Sequence, residues 1–94
     1  LRAQRDDNII FVGKKPVMNY VLACLTMFQN GSEDVVLKAR GLAIAKAVDA
    51  AQITTQRFAP GVTVKGIKIA TEEVKDMESD SMSSISSIEI HLSK

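Results

Sequence analysis

The sequence is poor in the residues from which enzymes and disulfide scaffolds are built. It has one cysteine, one histidine, no tryptophan, one tyrosine and three phenylalanines in 94 residues. A lone cysteine forms no internal disulfide, and Cys24, set among Leu22, Ala23 and Leu25, reads as a small buried hydrophobe in a protein of a reducing compartment. His91 falls on the outward parity of the last strand pattern, with no nucleophile whose position implies contact, so histidine-based catalysis is not expected. "DMESD" has the alternating carboxylates that open an EF-hand loop but lacks the glycine and closing glutamate of that motif, so no metal or other cofactor is expected. Four aromatics are too few for the ring-studded sheet of an RNA-recognition domain. No apolar run approaches the roughly 20 residues of a membrane span, and no targeting segment is expected in the residues shown.

What is present is a one-domain length, 46% hydrophobic residues and 24% charged ones. The net charge of +1 conceals a polarity. Residues 1–71 carry ten Lys/Arg against five acids, whereas residues 72–82 carry Lys75 against Glu72, Glu73, Asp76, Glu78 and Asp80. A basic body therefore bears one acidic segment.

Residues 1–7 lack apolar periodicity and read as a flexible lead-in to a single domain at 8–94. "NIIFV", from Asn8, reads as a buried strand that stops at Gly13. Pro16 suits a helix start, Val17, Val21, Cys24, Leu25 and Phe28 recur at helical spacing, and Gly31 supplies the stop. "DVVLKA" reads as a second strand, parallel to the first because the helix between them is a crossover. A second helix is expected over Leu42–Phe58, with an apolar face that is mostly alanine. After Pro60 and Gly61 come two long strands. In the first, the inward parity switches at Gly66 between Val62/Val64 and Ile67/Ile69, which is the pattern of a β-bulge. The second alternates Ile88, Ile90 and Leu92 with polar residues, and a polar tip joins the two into a hairpin arm. The order β-α-β-α-β-β makes an α+β two-layer sandwich, two helices on a four-stranded mixed sheet.

The chemistry-bearing residues are cations. "GKKP" places Lys14 and Lys15 at a helix start without an N-cap side chain, where free N–H groups and the helix dipole favour an anion. The P-loop spacing that wraps a triphosphate is missing, so a nucleic-acid phosphate fits better than a nucleotide. Parallel strands end on one edge of a sheet, which brings Lys38 and Arg40 to the same place, with Lys46 one turn further along the second helix.

"VGKKPVMNYVLA", "VVLKARGLAIAKAVD" and "SSIEIHL" together resemble the Alba family, small chromatin-associated nucleic-acid-binding proteins of archaea with relatives among ribonuclease P subunits. The resemblance spans residues 8–93 and implies the fold of the C-terminal domain of translation initiation factor three. It further implies a cytoplasmic, nucleoid-associated homodimer that binds double-stranded DNA, with RNA as the alternative ligand and no membrane or cofactor. In the family the basic loop matched by Lys14 and Lys15 includes an acetylation site, so an acetyltransferase or deacetylase is an implied partner. Asn8, Arg57 and Phe58 match the positions that pair dimers along DNA, although the residues alone leave Phe58 open between core packing and exposure. Two departures stand out. Leu42 replaces a frequent arginine, and Asp76, Glu78 and Asp80 occupy a hairpin tip that is often arginine-rich. Binding weaker and more salt-sensitive than that of arginine-armed relatives is therefore expected, as is the competing use of the acidic arm as a protein-docking module.

Overall fold

One edge of the sheet is a strand of three residues, β1 (Ile9–Phe11). The computed structural model describes residues 8–76, 78, 79 and 81–94; the lead-in expected at 1–7 lies outside these, as do Met77 and Asp80. Then follow α1 (Val17–Gln29), β2 (Asp34–Arg40), a 3₁₀ turn (Gly41–Ala43), α2 (Ile44–Ile53), a π-helical turn (Thr54–Phe58), β3 (Thr63–Lys75) and β4 (Met82–Ser93). The sheet order is β1-β2-β4-β3, with β1 parallel to β2 and the other pairs antiparallel. The two-helix, four-stranded α+β architecture read from the sequence is the one observed.

Local chemistry explains the element boundaries. Pro16 is the N-cap of α1, and no side chain caps that end. At the other end the Gly31 N–H donates to the Phe28 carbonyl (3.2 Å) and the Ser32 N–H to the Met27 carbonyl (3.1 Å), the pair of bonds of a Schellman stop. Gly31 makes that possible with φ of 101°. The second helix covers the expected span but changes pitch twice. It opens as the 3₁₀ turn and closes as the π turn, where the Ala59 N–H reaches the Thr54 carbonyl at 2.8 Å and Pro60 follows.

Both helices cover one face of the sheet. Val35, Leu37 and Ala39 of β2 and Ile88, Ile90 and Leu92 of β4 meet Val21, Cys24 and Phe28 of α1 and Ala47, Ala50 and Ala51 of α2. The alanines let α2 lie close to the sheet, as their small size predicted. Burial raises the Cys24 thiol to about 11, with the nearby Thr54 hydroxyl acting in the opposite direction, so the thiol stays neutral and unreactive.

The bulge falls where the parity switch placed it: Val64 pairs with Leu92 and Gly66 with His91, leaving Lys65 as the extra residue. Beyond it the ladder runs unbroken from Gly66 opposite His91 to Lys75 opposite Met82. Two helices on so small a sheet are expected to leave an apolar flank on the second helix or the long strands, and the flank lies on β3. Ile67 and Ile69 pair with Ile90 and Ile88 and so point to the helix side, yet they are 58% and 80% exposed, because β3 is the edge strand and α2 stops short of it. Val64, on the same side of β3, extends that apolar flank. A correction concerns β1. "NIIFV" is not a strand buried on both faces: Ile10 and Val12 enter the core, while Phe11 is exposed on the opposite face.

Candidate nucleic-acid interface

The sheet's second face carries no helix, and its cross-strand rows are fixed by the register. One row reads Phe11, Lys38, Glu89, Lys68; the next holds Arg40, Ser87 and Ala70. Where β1 and β2 end, this face passes into the two loops that follow them. There a groove of about 930 Å³ is lined by Lys14, Lys38, Arg40 and Lys46. The volume lies within the ~300–1,000 Å³ of small-molecule sites, so size does not name the ligand. Lys14, Lys38 and Arg40 converge as expected of the parallel β1/β2 pair, Lys46 of α2 joins them, and Lys15, expected in the same cluster, does not.

The loop that presents Lys14 is held from both sides. The Tyr20 hydroxyl, buried, accepts hydrogen bonds from the Gly13 N–H at 2.9 Å and the Lys15 N–H at 3.2 Å. The Lys46 Nζ donates to the Lys15 carbonyl at 2.6 Å. Lys46 therefore secures the loop while lining the groove. Lys15 is exposed at the rim but does not line the groove. No signal in the sequence marked Tyr20, whose place on the apolar face of α1 reads equally well as plain packing.

Two carboxylates that sequence reasoning missed also enter the groove. Glu89 Oε2 lies 3.6 Å from Lys38 Nζ, and Glu72 Oε1 lies 3.3 Å from Arg40 Nη1. Burial alone would raise the Glu89 carboxyl, but Lys38, a hydrogen bond with His91 at 3.3 Å, and Lys68 together hold it below its ordinary value. His91 is thus a neighbour of the Lys38–Glu89 ion pair. Leu42, where an arginine was missed, lies fully exposed on the groove wall.

The remaining predicted residues lie elsewhere. Asn8 donates from Nδ2 to the Asp34 carbonyl at 3.2 Å, and its Oδ1 is buried without a hydrogen-bond donor among the described residues. Arg57 and Phe58 are exposed on the π turn, which decides Phe58 against core packing. In the arm, the Glu78 N–H donates to the Asp76 carboxylate at 2.9 Å, which with Ser79 holds that carboxyl below its usual range. Among the described residues no group of three or more His, Cys, Asp or Glu could hold a metal, and no helix is long and apolar enough to cross a membrane.

Cations from several elements around an open groove describe a binding module rather than a reaction centre. The comparisons with known proteins agree: the profile of the Alba family matches residues 8–71, and the chain belongs to that family. It is 54% identical over 88 residues to DNA/RNA-binding protein Alba 1 of Archaeoglobus fulgidus, covering 94% of this chain and 97% of the relative. It is 48% identical over 89 residues to DNA/RNA-binding protein Alba of Methanocella arvoryzae, covering 95% and 92%. The solved structure of Alba from Thermoplasma volcanium superposes with a TM-score of 0.86 at 49% identity, covering 93% of this chain and all of that one. These relatives are named for binding, in keeping with a family that is not catalytic.

Proposed function

We propose that residues 8–94 form one domain that binds double-stranded DNA with little regard to sequence and organises the nucleoid as a homodimer. The observation that carries this reading is the meeting of Lys14, Lys38, Arg40 and Lys46 in one open groove. Cations so placed neutralise backbone phosphates, which set affinity and its salt dependence but convey little sequence information. The names of the relatives, DNA/RNA-binding proteins, support the ligand class and keep RNA as the second ligand.

The homodimer forms through the uncovered helix-side flank of β3, where Val64, Ile67 and Ile69 are exposed. An apolar patch of this kind on a small chain is accounted for by a two-fold partner. Association of dimers along DNA uses Asn8 with Arg57 and Phe58, the last two exposed on the π turn. Acetylation of Lys14 or Lys15, set by an acetyltransferase and reversed by a deacetylase, removes a charge and weakens binding. The protein acts in the cytoplasm, on the chromosome.

The test is a side-by-side titration of duplex DNA, duplex RNA and single strands over a salt series, with wild type and the Lys14→Ala/Lys15→Ala double variant. The variant should bind duplex DNA more weakly, its log–log salt slope reduced by about one unit per lost phosphate contact. An unchanged slope refutes the reading.

A further inference from the structure

The groove holds an aromatic ring that duplex binding does not require. Of the four aromatic side chains, Tyr20 and Phe28 are buried at 7% and 6% exposure, and Phe58 sits on the π turn away from the groove. Phe11 is 73% exposed on the helix-free face and lines the groove together with Lys14. It is the register partner of Lys38, so the ring and that cation stand on adjacent strands about 4.8 Å apart.

We propose that Phe11 is a stacking platform for one unpaired base of an RNA strand whose phosphates occupy the neighbouring cations. The proposal rests on the nucleic-acid reading above and adds a ligand class to the same groove. Bases inside a duplex are stacked on one another and present no face to a ring, whereas single-stranded RNA is recognised by stacking splayed bases on aromatic side chains. Recognition sheets use several rings; this sheet offers one, which fits one nucleotide. The carboxylates in the groove, obstacles to a continuous run of phosphates, suit a splayed base. Glu72 and Glu89 beside Arg40 and Lys38 can accept hydrogen bonds from exocyclic amino groups while Lys14 and Lys38 take the phosphates. The groove's mixed charge and its exposed ring thus have one explanation.

The experiment uses the full chain with Phe11→Ala and Phe11→Tyr, a single-stranded oligoadenylate RNA carrying one 2-aminopurine, its DNA counterpart, and a duplex DNA of equal length. Phe11 contributes little to the core, so a thermal melt close to wild type is expected for both variants. Wild type should quench the 2-aminopurine, and Phe11→Ala should lose the quench. Phe11→Ala should also weaken single-stranded RNA binding about tenfold more than duplex binding, with Phe11→Tyr restoring it. A parallel loss on single-stranded DNA is the same stacking and supports the proposal. Equal losses on single strand and duplex, no loss on RNA, or a quench that survives Phe11→Ala overturns it. The Lys14→Ala/Lys15→Ala variant separates the two failures: if it still loses duplex affinity, only the role of Phe11 falls.

Discussion

Arg40 and Glu72 face each other across 3.3 Å, guanidinium Nη1 to carboxylate Oε1, joining the end of β2 to the root of the acidic arm. A phosphate bound in the groove must compete with that carboxylate. An exposed pair of this kind is worth ~0–1 kcal/mol. Glu72→Gln should therefore tighten duplex binding by up to about fivefold in an equilibrium titration. Weaker binding would mean that the carboxylate supports the groove instead of competing with phosphate for Arg40.

The arm's tip should behave differently from its root. At ~3.3 Å per residue, Asp76 lies roughly 13 Å along β3 from Glu72, beyond the Debye length of ~8 Å at physiological salt. Asp76→Asn with Glu78→Gln should raise duplex affinity at ~10 mM salt, where the screening length is ~30 Å, and leave it nearly unchanged at ~150 mM. Loss of binding at either salt would show that the carboxylates make a needed contact.

Tyr20→Phe keeps the ring in the core and deletes one oxygen. It leaves two loop N–H groups, of Gly13 and Lys15, without their acceptor. The expected cost is about 1–3 kcal/mol, which lowers the melting temperature by several degrees in a domain of this size. Duplex affinity should fall as well, since the loop that presents Lys14 loses its anchor. A melt identical to wild type would contradict the clamp.

Ile69→Glu tests the apolar flank. Light scattering should report a dimer for the wild type and a monomer for the variant, because the proposed contact would bury a carboxylate at position 69 without a partner. A variant that stays dimeric places the two-fold contact on another surface.

Much of this was written in the residue pattern. Helical spacing from Val17 to Phe28 and a crossover of the right length were enough to set β1 parallel to β2, and parallel strands bring Lys14, Lys38 and Arg40 to one edge whatever the details. The alternation break at Gly66 is visible because faces of a strand have a strict period of two. Cross-strand partners are not visible in this way. That Glu72 would reach Arg40, and Glu89 reach Lys38, depends on a register set jointly by the bulge and the arm's turn. Nor does "NIIFV" reveal that β1 is an edge strand, since its composition is the same whether one face or two are covered. The Lys46 bond to the Lys15 carbonyl is a rotamer choice on a half-buried side chain, and spacing carries no information about it.

Lys65 gives β3 one place where its length is negotiable. Because it is the residue without a partner, removing it leaves Val64 on the helix side, Gly66 on the other and Ile67 again on the helix side, so each side chain keeps its face. What the deletion removes is the local bend and extra twist. A chain lacking Lys65 should fold with the same core while its arm, and with it the groove wall that Glu72 and Ile85 supply, leaves the body in a new direction. The aim of the arm can then be varied separately from its composition.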